Sequence, residues 1–251
     1  MTIRDENAPP APEVTIRPYR PADREAVRAI CRQTAFRNLG SDAVFEDGEL
    51  FADYFTAYYT DHEPESCLVA ERDGKIVGYL TGCVFTRRMI RVMGWRIVPS
   101  VLSRMIFRYL TGRYRKPETR RAVKWFLTRS WREAPPVPVD AFPTHYHCNV
   151  LRDGIARNVY SRLAFTFLDL AVARGSAGIH GQIDEPAEGG LWRRMVENTE
   201  VGYAPQFTAS AESTFLRDVL GIETAMVNRV WAGSIPEFRF WLTRVAKRYR
   251  L

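Results

Sequence analysis

Two short segments of the chain concentrate residues that can exchange protons near neutral pH. The segment "PTHYHCNVL" carries His145, His147 and Asn149 at alternate positions, and "AGIHGQI" carries His180 and Gln182 in the same pattern. Alternation is typical of a β-strand, in which every second side chain lies on the same face. Imidazole titrates close to pH 7 and can accept a proton from a substrate. The pattern also fits hydrogen-bonded structural histidines, so both interpretations stay open.

A tight loop follows the first of these segments. Residues 145–175, "HYHCNVLRDGIARNVYSRLAFTFLDLAVARG", predict a strand, a sharp turn and a helix. A helix N-terminus that follows a strand can hold a phosphate group through its free N–H groups. Such loops usually need several glycines because the backbone must approach the ligand closely, and here the loop has only Gly154. The loop is therefore either a working anion site or an inherited scaffold.

The rest of the chain predicts further strands and helices. Strands are expected at Val14–Ile16, in a hairpin over "SCLVAERDGKIVGYLTGCVF" that turns at Asp73-Gly74, in the two histidine segments and in "TAMVNRVW". Helices are expected after Pro21, over Glu49–Tyr59, over Ile155–Arg174 with an apolar stripe at Val159, Leu163, Phe167 and Leu170, in "GGLWRRMVEN" and after Pro236. This order predicts an α/β or α+β sheet covered by helices.

Composition restricts the class of protein. The 251 residues are 46% hydrophobic and 26% charged, which is ordinary for a globular protein. No apolar run approaches the roughly 20 residues that cross a bilayer. Residues 1–13 are polar and rich in proline, which predicts a disordered tail. The four cysteines lack CxxC spacing, which favours buried free thiols in a reducing cytoplasm and no metal site.

Four stretches of the chain resemble the GNAT superfamily of acyl-CoA-dependent N-acetyltransferases. They are "IRPYRPADREAVRAIC", "CLVAERDGKIVGYLTG", "FPTHYHCNVL" and "STFLRDVLGIETAMVNRV", the last of which is similar to the closing strands of such a protein. The match is best to bacterial members with a long insertion before the fourth strand. It implies an α/β (α+β) GNAT fold, in which helices flank a central mixed, twisted sheet. The GNAT domain is expected over 14–232 with a basic helical insertion at 86–136, and an amphipathic helix is expected over 233–251.

In this superfamily the loop after the fourth strand binds the pyrophosphate of acetyl-CoA or another acyl-CoA. The resemblance therefore implies that this substrate is held by Val150, Leu151, Arg152, Gly154, Ala156, Arg157 and Asn158. The family motif runs Arg or Gln, two residues, Gly, one residue, then Gly or Ala. An ungapped match places it on Ile155, Asn158 and Tyr160, and a match that is one residue too short places it on Arg152, Gly154 and Ala156. Tyr160 stands where the family has almost no side chain.

The resemblance also implies acyl-transfer chemistry between the fourth and fifth strands. This chemistry needs a neutral amine, a positioned thioester, a donor to the oxyanion and a proton for the leaving thiolate. We predict His147 as the base, with Asn149 on the same face. Trp192 stands where family members often carry the tyrosine that protonates the thiolate. Tyr203 is the predicted substitute, although packing in the core would also explain it.

Two functions follow from these residues. The first is N-acetyl transfer, or transfer of another acyl group, to the amine of a small molecule or peptide. The alternative is a catalytically inactive GNAT-fold module that binds an acyl thioester, a membrane or a partner protein. The neighbouring histidines favour the enzyme, and the missing glycines and tyrosine favour the module.

The segment Thr86–Glu133 has an unusual charge. It carries fourteen Arg or Lys residues against two Glu, a net charge of +12, whereas the whole chain carries +7 and the remainder is therefore acidic. Helices are expected after Pro99, closed by Thr111-Gly112, and after Pro117. Three interpretations of the segment stay open. It can be a helical cap with a solvated arginine face, or a lid that houses an acyl chain or aromatic acceptor and contacts the phosphates of CoA or an acyl carrier. It can also be a surface that docks on an anionic membrane. The absence of a base-reading module predicts no nucleic-acid partner, and the location is expected to be cytoplasmic or peripheral to a membrane.

Overall fold

The computed structural model describes residues 14–151, 158–190, 196 and 202–249. The strands are β1 Thr15–Pro18, β2 Cys67–Arg72, β3 Lys75–Cys83, β4 His145–Val150, β5 Gly178–Pro186, β6 Phe207–Ser213 and β7 Met226–Ser234. The helices are α1 Arg24–Asn38, α2 Gly48–His62, α3 Thr86–Val92, α4 Val98–Leu110, α5 Pro117–Thr128, α6 Val159–Ala173, α7 Phe215–Leu220 and α8 Ile235–Tyr249. A π-helical segment, Met93–Ile97, joins α3 to α4, and 3-10 turns occur at Pro21–Asp23, Ser41–Ala43 and Pro64–Ser66.

The strands form two antiparallel sheets, with orders β1-β2-β3-β4 and β5-β7-β6. They meet at one parallel bridge between Thr144 and Ile179, at the start of β4 and β5. The N–H of Thr144 donates to the carbonyl of Gly178 at 3.3 Å, and the N–H of His180 donates to the carbonyl of Thr144 at 2.8 Å. In the part of the chain that the structure describes, the expected mixed sheet is therefore two antiparallel sheets joined at a single point.

The central hairpin forms as the sequence predicts. Strands β2 and β3 turn at Asp73, with φ of 50°, and Gly74, with φ of 73°. Two consecutive positive φ values are the geometry of a tight hairpin turn whose twist matches that of the strands. Strand β3 is buried on both faces from Val77 to Cys83, because helices cover both sides of the sheet.

One face of the sheets packs against α6 and α8. The predicted stripe of α6 lies in this core, where Leu163 and Phe167 are fully buried beside Phe238 and Leu242 of α8. Phe167 lies directly against β3, since a Cβ atom at Gly82 would come within 2.1 Å of its ring. Strand β7 ends at Ser234, directly before α8. The buried residues of α8 belong to the same core as those of α6, so the C-terminal helix packs on the domain that precedes it.

The opposite face packs against α1, α2 and the basic insertion. Buried residues of α4 and α5, among them Met105 and Val123, belong to the same core as Leu50 and Tyr58 of α2. The predicted end of α4 is confirmed, with Thr111 at its C-cap and Gly112 at a φ of +68°, and Pro117 begins α5 as expected. The insertion is therefore a folded layer of the protein with its own apolar contacts.

The C-terminal third differs from the sequence prediction in two places. Strand β6 was not predicted, because its residues are mostly Ala, Ser and Thr and carry no apolar alternation. Residues Phe215–Leu220, expected among the closing strands, form α7 because Phe215, Leu216 and Val219 bury one side of a helical turn. The predicted tail at 1–13 lies outside the described residues. The helix predicted around 189–198 also lies outside them, except for Gly189, Gly190 and Val196.

The close packing of Phe167 on β3 makes a first prediction. We expect Gly82→Ala to lower the free energy of unfolding by about 1–3 kcal/mol, since the new methyl group would meet the Phe167 ring and the carbonyl oxygen of Ser66, at 2.6 Å, and neither can leave without opening the core. Urea unfolding checks the change. Gly94→Ala is the matched control, because no atom lies within 4 Å of its added Cβ atom and alanine favours helix. Equal effects of the two substitutions would contradict this account.

Candidate functional site

A cleft opens where β4 and β5 separate. Backbone groups of alternate residues point to the same side of a strand, and both groups of Thr144 bond to β5. The N–H and C=O groups of Tyr146, Cys148 and Val150 therefore point toward β5, but no ladder joins them to it within the described residues. These groups form a free strand edge that an extended ligand can pair with.

The three predicted histidines do come together, and two of them are structural. His145 is buried, and its two ring nitrogens lie 3.0 Å from the Tyr59 hydroxyl and 2.7 Å from the Thr86 hydroxyl. His180 is also buried, and its Nδ1 donates to the carbonyl of Phe142 at 2.6 Å. Burial lowers the pKa of both imidazoles, that of His145 strongly, because a charged ring would lose its hydration.

His147 differs from its two neighbours because its side chain lines an open cavity. Its ring lies 5.8 Å from the His145 ring and 5.9 Å from the Tyr59 ring, measured between centroids. Desolvation by the cavity walls, with nearby His180 as a second cause, lowers the pKa of His147. The imidazole is therefore neutral at pH 7 and able to accept a proton.

The cavity beside His147, called here the histidine cavity, has a volume of about 470 Å³. It lies on the face of β4 that carries His147 and Asn149, between the end of α1, α2, α5 and α7. The Asn149 amide donates to the Tyr79 hydroxyl at 2.7 Å, which fixes both side chains in the floor. Polar residues of the lining are Thr34, Arg37, Thr81, His147, Asn149, Asp184, Ser213 and Asn228, and aromatic residues are Phe36, Phe51, Phe55, Tyr79, Trp125, Phe126 and Phe215.

Asp184 is a functional candidate that the sequence analysis missed. It lies on β5 opposite Asn228 of β7, and both line the histidine cavity. Desolvation raises the pKa of Asp184, whereas a hydrogen bond to Ser213 and the positive charge of Arg37 act in the opposite direction. The side chain is exposed to the cavity, so an arriving cation would stabilise the carboxylate further. Asn228 donates to the carbonyl of Glu133 at 3.3 Å, while its buried Oδ1 has no hydrogen-bond partner among the described residues. The alternation of His180, Gln182 and Asp184 along one strand was the sequence signal that could have identified Asp184.

Comparison with known proteins identifies the fold. No protein-family model and no curated protein matches the chain. Among solved structures, SsHAT is 27% identical with a TM-score of 0.60, over 89% of this chain and 99% of that chain. The N-acetyltransferase from Staphylococcus aureus Mu50 is 14% identical with a TM-score of 0.46, over 89% and 99% of the two chains. The structure of yncA from Salmonella typhimurium with its cofactor acetyl-CoA is 12% identical with a TM-score of 0.45, over 88% and 94%.

The chain has a fold of the GNAT type. The predicted GNAT fold is thereby confirmed, and the separated strands β4 and β5 occupy the places of the fourth and fifth strands in the resemblance.

The loop that is predicted to bind the cofactor is described only at its two ends. Val150 pairs with Gly78, and the N–H of Leu151 donates to the carbonyl of Val77 at 2.9 Å. The Leu151 N–H thus belongs to the sheet, and binding of the cofactor by Leu151 stays a prediction. The other predicted residues of the loop, Arg152, Gly154, Ala156 and Arg157, lie outside the described residues.

The residue before α6 adopts a left-handed backbone conformation. Asn158 precedes α6 with φ of 82° and ψ of 7°, the left-handed conformation that glycine would supply. The hydroxyl of Tyr160 lies 3.0 Å from that of Tyr146. Its ring is therefore held against the α6 side of β4, the side opposite the histidine cavity.

Tyr203 does not lie in the histidine cavity. It is buried among Trp231, Phe238 and Trp241, in the core that contains α6 and α8. Trp231 is on the face of β7 opposite Asn228, so Tyr203 is separated from His147 by the sheet. Tyr203 therefore packs in that core, and its role as a proton donor stays a prediction. Trp192, at the family position of the tyrosine, lies outside the described residues.

The end of α1 adopts a strained conformation beside the cavity. Phe36, Arg37 and Asn38 have φ values of 49°, 61° and 68°, and side chains other than glycine adopt this region at a cost of roughly 1–2 kcal/mol per residue. The Phe36 ring stacks on Phe215 at 5.4 Å with 9° between the planes, and Arg37 lines the cavity. Such strain persists only where surrounding contacts fix it, and it concentrates at functional sites.

The buried histidines make the stability of the fold depend on pH. In the unfolded chain they bind protons below about pH 6.5, whereas His145 stays neutral in the folded state, so stability falls as the pH drops below that value. We expect urea unfolding at pH 7.5, 6.5 and 5.5 to show this loss, and His145→Gln to reduce its slope by up to about 1.4 kcal/mol per pH unit.

Tyr59→Phe is the control for this prediction. It removes a hydrogen bond to the same imidazole but leaves the titrating group, so it should lower stability and keep the pH slope of the original protein. An unchanged slope in His145→Gln would show that another group carries the pH dependence.

Proposed function

We propose that this protein is an N-acyltransferase that moves an acetyl or related acyl group from acyl-CoA to the amine of a small molecule or peptide. One observation carries the proposal: the free edge of β4 adjoins a cavity lined by an imidazole, His147, whose pKa is lowered, and by an accessible carboxyl group, Asp184. A thioester arm paired with that edge would bring its carbonyl group next to the cavity. The GNAT-type fold of the chain supports acyl transfer in general.

The described residues have the following roles in this proposal. Asp184 attracts the ammonium form of the acceptor, and His147 accepts the proton that the nitrogen loses. The nitrogen attacks the thioester carbonyl carbon, the C–N bond forms, the C–S bond breaks, and the thiolate leaves. His147 releases this first proton to solvent before the attack, and it then accepts the second proton, which the nitrogen loses as the amide forms. The second proton passes through water to the thiolate, so that the CoA thiol forms and one proton is released overall. An N–H group of the free edge, at Tyr146 or Cys148, would donate to the oxyanion.

The inactive module is the second candidate function. The aromatic side chain of Tyr160 in the cofactor motif and the position of Tyr203 outside the cavity favour it. Calorimetry with acetyl-CoA separates the two functions when it is combined with a turnover assay over a panel of amines. Binding with turnover supports the enzyme, binding without turnover supports the module, and no binding removes both.

For His147 we expect substitution by Ala to lower kcat at least tenfold with little change in melting temperature, because its side chain lines the cavity and removal leaves the core intact. In the original protein, kcat should fall on acidification as His147 becomes protonated at a pH below about 6.5, the usual value for imidazole. His62→Ala is the matched control and should keep full activity, because His62 lies outside the cavity lining. Unchanged kinetics in His147→Ala would remove this residue from the mechanism.

We also propose that the insertion docks this enzyme on an anionic membrane surface. Four apolar side chains of α3, the π-helical segment and α4 are strongly exposed, and we call them the insertion strip: Ile90 at 52%, Trp95 at 83%, Phe107 at 57% and Leu110 at 77%. Single exposed apolar residues are normal, but several on one continuous helical segment are typical of an interaction surface. No helix in the described ranges is long and apolar enough to cross a membrane.

The charges around the insertion strip favour lipid over a protein partner. Arg91 and Arg96 flank Trp95 and form no ion pair within the described residues, and Arg113 lies over the Phe107 ring at 5.7 Å. Tryptophan and arginine together suit the boundary between lipid headgroups and acyl chains, and each basic residue near an anionic surface adds roughly 1 kcal/mol. The net charge of +12 over the segment supplies the long-range attraction.

Co-sedimentation with vesicles of phosphatidylcholine and phosphatidylglycerol tests the membrane surface. We expect salt-sensitive binding that Trp95→Ser with Leu110→Ser weakens at least tenfold, because burial of each side chain contributes roughly 1.5–3 kcal/mol. Val172→Ser, which removes an apolar residue of α6 that is 53% exposed, is the control and should bind normally. Equal binding to neutral vesicles, self-association through the strip, or binding to an acyl carrier protein in place of lipid would each contradict docking on an anionic membrane.

A further inference from the structure

A second cavity lies between the insertion and α2, with α4 and α5 on the insertion side. This insertion cavity has a volume of about 310 Å³, and Ser130 is the one non-aromatic polar residue in its lining. The Ser130 hydroxyl donates to the carbonyl of Phe126 at 2.7 Å and is already satisfied. Leu102 and Met105 form part of the base, and Trp131 is largely exposed at the rim. A cavity with these walls selects an apolar ligand.

The insertion cavity and the histidine cavity share a wall. Phe51, Phe55 and Phe126 line both of them. The Phe51 and Phe55 rings lie 4.6 Å apart, and Phe55 is 43% exposed, so the wall is one layer of aromatic rings with a side open to solvent. A molecule with its polar end beside His147 can therefore extend an apolar arm around Phe55 into the insertion cavity.

Charges near the insertion cavity are already used in pairs. Arg104 donates to Asp53 at 3.0 Å, and Arg108 is paired with Asp47. Nothing in the lining offers a charge to a phosphate or carboxylate. An apolar cavity of about 150 Å³ holds benzene, so about twice that volume suits a phenylalkyl group or an alkyl chain of roughly eight carbons.

We propose that the insertion cavity binds the apolar arm of the acceptor amine, so that the enzyme selects arylalkylamines or long alkylamines. This proposal rests on the proposed function for the position of the amine. The polar groups that suit an ammonium ion, Asp184 and Asn228, lie in the histidine cavity, and the aromatic wall lies between that cavity and the insertion cavity. The acyl group would instead arrive along the free edge of β4.

Direct binding of amines tests the proposal without acyl transfer. In calorimetry we expect 4-phenylbutylamine to bind at least tenfold more tightly than n-butylamine, because each buried CH₂ equivalent contributes roughly a factor of four. Leu102→Trp fills the insertion cavity and should bring this affinity ratio close to one. Ser103→Trp is the matched control, since Ser103 is the next residue of α4, is exposed and lies outside the cavity lining, and it should keep the ratio.

A second measurement remains decisive if Leu102→Trp does not fold. A brominated phenylalkylamine should quench the fluorescence of Trp131, and Trp131→Phe should remove that part of the quenching. Three results would each overturn the proposal. The affinity ratio could be near one in the original protein, or it could be unchanged in folded Leu102→Trp. The third is quenching that Trp131→Phe leaves intact.

Binding of acyl-CoA with different chain lengths tests whether the insertion cavity holds the acyl chain instead of the amine. If octanoyl-CoA binds more tightly than acetyl-CoA and Leu102→Trp removes only that preference, the cavity holds the acyl chain and the amine proposal is wrong. A protein that binds 4-phenylbutylamine selectively but transfers no acyl group would refute the proposed function and retain the insertion cavity as an amine site.

Discussion

The geometry of the site depends on Thr144. Its backbone carries the bridge between the two sheets, and its side chain is fully buried with its hydroxyl 3.0 Å from the carbonyl of Val84 and 2.7 Å from the Ser176 hydroxyl. A β-branched residue with a satisfied hydroxyl holds this crossing rigidly, because each buried polar group has a partner. The two sheets are joined where β4 and β5 begin, and these strands separate toward their other ends. The free edge of β4 exists only because of this separation.

The insertion is tied to the same site through the second sheet. The carboxylate of Glu133 accepts from the N–H of Thr214 at 2.7 Å and from its hydroxyl at 2.6 Å, and the Trp125 indole donates to that hydroxyl at 2.9 Å. The Arg121 guanidinium donates to the carbonyl of Val219 at 2.9 Å. These contacts place α5 over α7, and the aromatic residues of both then close the histidine cavity. A basic segment that the sequence presents as a separate unit is thus part of the wall around the chemistry.

Local patterns predicted much of this molecule. The alternation in "PTHYHCNVL", the Asp73-Gly74 turn and the apolar stripe of α6 are determined by neighbours along the chain, and all three are confirmed. Strand β6 escaped prediction because its pairing with β7, and not its own apolar pattern, makes it a strand. The difference between His147, which lines the cavity, and the structural residues His145 and His180 could not be predicted either. All three have the same residue type and similar settings in sequence, and only the tertiary positions of Tyr59, Thr86 and Phe142 make two of them structural.

The left-handed turn at the end of α1 has a consequence for engineering. Phe36 and Arg37 together hold roughly 2–4 kcal/mol, and Asn38 adds less, which is a large part of the roughly 5–15 kcal/mol by which a typical domain is stable. Glycine at Arg37 or Asn38 would release part of that energy and raise the melting point. It would also let the segment that carries Phe36 sample more than one arrangement. Heat resistance and a sharply defined acceptor site are therefore opposed at these positions, and a designer must choose which of the two to improve.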